Sequence, residues 1–162
     1  MSSRSFDPLN GALTKIAKRD HSHWEIEQYF KKKGLSPQEI SSALEELVEL
    51  RALDDERFKR SYFLELVRKG WGPLGVQFKM RSRGIEFSQG DYQKLRGEEF
   101  GDQEPDEFEV ARLQELIERK LRRGLTHSKP ITWEKKEKIK RHLVSRGFSL
   151  GLINQALEAP ST

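Results

Sequence analysis

The sequence predicts an all-α protein made of three tandem three-helix repeats set side by side as an elongated array. Three observations carry this reading. A basic residue, a glycine and an apolar residue recur at Lys33-Gly34-Leu35, Arg83-Gly84-Ile85 and Arg146-Gly147-Phe148, 50 and 63 residues apart. Around the first and last copies the apolar residues match: Phe30 and Leu143 lie four residues before the glycine, Ile40 and Ile153 six after it, Leu44 and Leu157 ten after it. Capping-box signatures at Ser22–Glu25 and Ser36–Glu39 mark helix starts, and no stretch alternates apolar with polar residues as a half-buried strand would. Small bundles that bury their apolar faces against neighbours form such rows.

The first repeat is read over residues 9–52. Ser22 opens one helix and Ser36 the next, with Pro37 placed where its missing N–H is harmless. Ile40, Ala43, Leu44, Leu47 and Val48 form the stripe this helix buries. The second repeat, 53–97, begins at the cap Asp54, continues through the stripe Phe58, Tyr62 and Leu66, and stops at Gly70 before Pro73 starts another helix. Met80 precedes the middle stop, but Gly90 and Lys94 fill the two apolar places behind it. Residues 98–107 read as an acidic linker. The third repeat, 108–158, carries Phe108, Leu113, Leu116, Ile117 and Leu121, then Ile139, Leu143 and Val144 after the cap Thr132, and a last helix after the cap Ser149. About nine helices result. Trp24, Tyr62 and Trp133 sit at core-like positions and are expected to be buried. Trp71 is read as a core plug, with an exposed anchor as the alternative.

Composition bounds the function. At 162 residues, 35% apolar and 35% charged, the chain is poor in core formers, and an elongated array needs less core than one large globule. The absence of cysteine excludes disulfides and thiolate zinc sites and fits a reducing compartment. The start, Met1 to Pro8, has no signal-like apolar run, and no stretch approaches the roughly 20 apolar residues of a membrane span, so a cytoplasmic protein without a membrane partner is expected.

Charge is distributed unevenly. Residues 98–109 hold seven acids and no Lys or Arg, whereas 119–146 hold eleven bases, Lys129 among them, against Glu134 and Glu137; residues 67–83 hold five bases and no acid. Cationic faces of this kind favour polyanions or acidic protein surfaces. The basic residues expected to meet a partner or DNA are Arg57, Arg60, Arg68, Lys69, Lys79, Arg81, Arg83, Arg119, Lys120, Arg122, Arg123, Lys136, Lys140, Arg141 and Arg146. Reversing such charges is expected to cost binding and not folding. The structural turns are assigned to Gly34, Gly70, Gly72, Pro73, Gly84 and Gly147.

Gly70-Trp71-Gly72-Pro73-Leu74-Gly75 satisfies the dinucleotide-binding G-x-G-x-x-G pattern, with Asp91 roughly 20 residues further on. That fingerprint needs a strand in front of it, and here an amphipathic basic helix precedes. The segment is therefore read as an interhelical hinge in which Gly70 and Gly72 supply positive φ. His21, His23, His127 and His142 show no metal spacing and are expected in loops or on the surface, and Asp54-Asp55-Glu56 is explained by capping and the helix dipole. No nucleophile has a positioned base, so neither enzyme activity nor a cofactor is predicted.

Leu53-Asp54-Asp55-Glu56-Arg57-Phe58, Arg68-Lys69-Gly70-Trp71-Gly72-Pro73 and Arg81-Ser82-Arg83-Gly84-Ile85, with Arg146-Gly147-Phe148-Ser149 and Lys33-Gly34-Leu35-Ser36, resemble the RecX family of recombinase regulators. The resemblance covers roughly residues 10 to 158. Leu35 replaces the usual aromatic, and Gly90 interrupts the sixth helix. The resemblance implies three three-helix repeats curved into a crescent that lodges in the groove of the RecA filament on single-stranded DNA. It also implies a protein with no catalysis of its own that inhibits ATP hydrolysis, strand exchange and repressor cleavage; a monomer is expected. The competing reading is a sequence-independent nucleic-acid-binding helical-repeat protein; weak direct DNA binding is expected in either case.

Overall fold

The computed structural model describes residues 5–123 and 130–159. Lys129, His127 and the start Met1 to Arg4, which entered the reading above, lie outside the described residues. Nine α-helices and no strands occur among the described residues: α1 Pro8–Ile16, α2 His23–Lys32, α3 Pro37–Glu49, α4 Asp55–Arg68, α5 Pro73–Arg81, α6 Gln89–Phe100, α7 Pro105–Arg122, α8 Trp133–Ser145 and α9 Leu150–Glu158. The fold is all-α and built from tandem three-helix repeats.

The caps form as the sequence predicts. Ser22 and Ser36 each accept the N–H of the third helical residue, Glu25 or Glu39, whose carboxylate returns a bond to the cap N–H. Asp54 accepts the N–H groups of Glu56 and Arg57, and Thr132 and Ser149 accept those of Lys135 and Leu152. Asp7 caps α1 by the same chemistry.

Each basic-glycine-apolar stop is a left-handed helix terminus. Gly34, Gly84 and Gly147 have φ of 81°, 73° and 88°. The following apolar residue donates its N–H back to the residue four before the glycine: Leu35 to Phe30, Ile85 to Met80, Phe148 to Leu143. The recurrence in sequence is thus a hydrogen-bonding requirement. Lys69-Gly70-Trp71 is a fourth copy, with Gly70 at φ 82° and Trp71 N–H bonded to the Leu66 carbonyl.

The chain divides into two compact units. The first takes the chain up to Phe63 together with Met80–Glu86; the second takes Leu64–Lys79 and the chain from Phe87 onward. In the first, α1 and α2 pack on α3 around Ala12, Ile26, Phe30, Ile40, Leu44, Leu47 and Leu53. In the second, α7 and α8 pack on α9 around Leu113, Ile117, Ile139, Leu143, Phe148, Ile153 and Ala156. Such side chains contribute about 1.5 to 3 kcal/mol each when fully buried. Val48 and Val144, placed in core stripes above, are exposed.

The middle of the chain shows why its pattern looked blurred. Ser88 caps α6 four residues after Gly84, whereas Ser36 and Ser149 follow their glycines by two. Two extra residues shift the register, so the slots of Ile40 and Leu44 are taken by Tyr92 and Arg96, both buried, and not by Gly90 and Lys94. Gly90 lies in the first turn of α6 and does not interrupt it. The acidic run is largely helical as well: residues 98–100 finish α6 and 105–109 begin α7. Arg96 holds the short link between them, donating to the carbonyls of Gly101 and Gln103.

Candidate partner-binding surface

In the first unit the Arg83-Gly84 turn sits on the start of α2. Ser22 Oγ donates to the Arg83 carbonyl at 2.6 Å, a Cβ on Gly84 would lie 2.3 Å from Trp24 Cβ, and the Arg83 guanidinium pairs with Glu25. Glu25, almost fully buried, also pairs with Arg19 at 2.9 Å and accepts the Ser22 N–H. Burial pushes its carboxyl up, but the bonds from Arg19, Ser22 and Arg83 outweigh this and hold it below the ordinary carboxylate value. Burial works to lower the Arg83 pKa, but the hydrogen bond and charge of Glu25, together with Tyr62, outweigh it and raise the value.

The second unit repeats the device. The Arg146 and Gly147 carbonyls accept the N–H groups of Gly72, at 2.8 Å, and Leu74, at 3.1 Å, at the start of α5. Two helix-start donors thereby find partners in the tail of another helix. The approach is backbone to backbone: a Cβ on Gly147 would lie 1.9 Å from Gly75 N, and one on Gly72 would lie 2.7 Å from the Gly147 carbonyl. Gly72 is required for this closeness and not for positive φ, which only Gly70 of the pair adopts. The segment read as a hinge is a clamped joint. Arg112 adds to it, donating to the Val67 and Trp71 carbonyls and to Glu109.

Trp71 is neither core plug nor free anchor. Its half-buried ring carries Lys79 at 4.6 Å and Arg146 at 4.4 Å from its centroid. Below it a buried network joins Tyr92, Glu109 and Arg112, and burial pushes the Tyr92 hydroxyl far above its ordinary range.

The basic residues singled out from sequence fall into two groups. Arg57 donates to the Arg51 and Ala52 carbonyls and pairs with Asp20 at 3.4 Å, while Arg83, Lys79 and Arg146 serve the contacts just described. Arg83 is therefore part of the folding apparatus, against the expectation that its charge could be reversed freely. Arg60, Arg68, Lys69, Arg81, Arg119, Arg122, Arg123, Lys136 and Arg141 are exposed, and Lys120 and Lys140 are half-buried. Several of these pair with an acid about one turn back along the chain, Lys69 with Glu65, Arg119 with Glu115, Arg122 with Glu118 and Lys140 with Glu137. Such pairs are weak and leave the cations available. Lys120 and Arg146 lie close enough to His142 to hold its pKa down, adding to the effect of burial.

Aromatic placement differs from expectation. Trp133 is 74% exposed at the start of α8 and Trp24 is 41% exposed. Trp133 shares a helix face with Lys136 and Lys140, at i+3 and i+7. Conversely His21 is buried, with Nδ1 2.9 Å from the Arg19 carbonyl, and burial lowers its pKa. Arg112, Glu109 and Arg96 escaped the sequence reading because a charged residue on an amphipathic helix is ordinarily solvated. No helix among the described residues is long and apolar enough to cross a membrane.

Comparison with known proteins places this geometry. Residues 106–157 match the family model described as RecX, third three-helix domain. The regulatory protein RecX of Pseudomonas fluorescens strain SBW25 is 27% identical over 146 residues, covering 90% of this chain and 86% of the relative. That of Vibrio cholerae is 27% identical over 148 residues, covering 91% and 90%. Both are named regulatory proteins. The crystal structure of RecX from Lactobacillus salivarius superposes with a TM-score of 0.66 at 20% identity, over 93% of this chain and 92% of that one, and shares the fold. The last three helices match the RecX family model, nine-tenths of the chain is similar to proteins named regulatory protein RecX, and the helical fold is shared with a RecX crystal structure.

Proposed function

We propose that this protein binds the RecA filament on single-stranded DNA and inhibits its ATPase, recombinase and coprotease activities, with no catalysis of its own. The observation that carries the proposal is the end-to-end similarity to proteins named regulatory protein RecX. The exposed cations on α4, α7 and α8 supply a compatible physical account, since complementary charge sets encounter rate and register on an acidic or phosphate-lined partner. Apolar anchors are available in Leu74 and Phe78, both largely exposed one turn apart on α5.

Co-sedimentation with preformed filaments tests this. Charge reversal of Arg122, Arg123, Lys136 and Arg141 is expected to weaken binding about tenfold or more while leaving the melting temperature within a few degrees of the parent, because exposed cations contribute little to folding. Undiminished binding by that variant would move the contact surface to the apolar or acidic faces. A second reading, direct sequence-independent binding of nucleic acid, is favoured by Trp133, an exposed aromatic on a lysine-bearing helix face. It predicts tight, salt-sensitive binding to naked DNA without recombinase.

A further inference from the structure

Arg68 and Arg119 belong to different basic runs of the sequence, yet both line one cleft of about 430 Å³ in the second compact unit. The cleft also takes Phe100, at the end of α6, and Phe108, at the start of α7, with ring centroids 5.2 Å apart. Phe108 is buried, whereas Phe100 remains 40% exposed. Arg112, in the wall, is committed to Glu109 and two backbone carbonyls, so the cations at the opening are Arg68 and Arg119. The acid of the lining, Glu115, lies 3.6 Å from Arg119, a long contact between two exposed side chains. The lining thus offers an accessible aromatic ring, a net positive charge and an apolar floor.

That combination selects a ligand that is flat, aromatic and anionic. A base stacks on a ring whatever its identity, because every base has a π-face, and a neighbouring guanidinium takes a phosphate in a forked geometry. A lipid phosphate lacks the flat ring, and an acidic peptide lacks it at most positions. We propose that this cleft binds a single nucleotide unit, its base stacked on Phe100 and its phosphate held by Arg68 and Arg119. The unit could come from an unpaired strand or from a free nucleotide. This goes beyond filament regulation and is measured without recombinase, so either proposal can fail alone.

The test is fluorescence anisotropy of a short labelled oligothymidylate and of an abasic strand of equal length, with the parent, Phe100→Leu and the double variant Arg68→Glu/Arg119→Glu. Leucine keeps the apolar packing on Phe108 and removes the stacking face; a thermal melt of each variant verifies folding. The parent should prefer the base-bearing strand, Phe100→Leu should weaken that strand about tenfold while leaving the abasic strand unchanged, and the double variant should weaken both. Displacement by millimolar ADP would identify a free nucleotide as the ligand; failure to displace would identify the strand. Equal binding of the two strands by the parent, or a base preference that survives Phe100→Leu, would overturn the proposal and reduce the cleft to cations attracting phosphate. Competition by polyglutamate as effective as that by the oligonucleotide would also overturn it and assign the cleft to an acidic protein segment.

Discussion

Glu25 shows how a residue legible as one thing acts as several. Its place in a capping box could be read from Ser22-His23-Trp24-Glu25, but the two arginines it holds, Arg19 and Arg83, come from outside its helix and one of them from far along the chain. Its carboxyl is held below its unfolded value of 4.5, so the stability it confers is present above that pH and is lost as pH falls through the lower folded value. Glu25→Gln should therefore unfold with about 2 kcal/mol less stability than the parent at pH 7, the scale of hydrogen bonds to charged groups, and the gap should close as pH falls from 5 towards 3. Urea titrations across that range measure it; a gap independent of pH would remove the ion pairs from the account. Tyr92→Phe asks the same question of the second unit. Taking the hydroxyl away deprives the buried Glu109 of one hydrogen-bond donor beside Arg112 and should cost about 1 to 3 kcal/mol in the same titration.

The helix stops carry two duties, and only one of them was visible in sequence. Lys33-Gly34, Arg83-Gly84 and Arg146-Gly147 announce left-handed termini because nothing but glycine adopts that backbone cheaply. That Arg83 and Arg146 then lend their carbonyls to the starts of α2 and α5 depends on long-range approach, which leaves no local signature. Gly72 and Gly75 were the hint: small residues in a turn where backbones meet. Glycine-to-alanine variants separate the duties. Around Gly34 a Cβ would meet nothing within 4 Å, so Gly34→Ala should cost only the left-handed backbone penalty, about 1 to 2 kcal/mol. Gly147→Ala would drive a Cβ to 1.9 Å from Gly75 N and should cost more than about 3 kcal/mol in denaturant titration. Equal costs would contradict the clamped joint. Helix α6 illustrates the remaining gap between sequence and fold. Fixed spacing pointed to Gly90 and Lys94, but two added residues moved the buried face to Tyr92, Leu95 and Arg96, and the Ser88–Asp91 capping box was the local signal of that shift. Trp133 was misplaced for a related reason, since helical spacing alone does not say which side of a first turn faces solvent.

Over its described residues the chain repeats the same caps and glycine stops, is similar to RecX proteins along nine-tenths of its length, and spends part of its basic residues on its own joints. Those that remain exposed on α4, α7 and α8 face solvent, where the proposed regulatory role would use them. Electrostatic recognition of that kind weakens with ionic strength, so raising salt from 50 to 200 mM should reduce filament binding by at least about tenfold. Salt-independent binding would assign the contact to apolar residues such as Leu74 and Phe78. The most direct measurement is steady-state ATP hydrolysis by RecA filaments preassembled on single-stranded DNA and titrated with this protein. Hydrolysis should fall progressively and saturably at micromolar protein, with the protein recovered in the filament pellet; undiminished hydrolysis with the protein left in the supernatant would refute filament regulation.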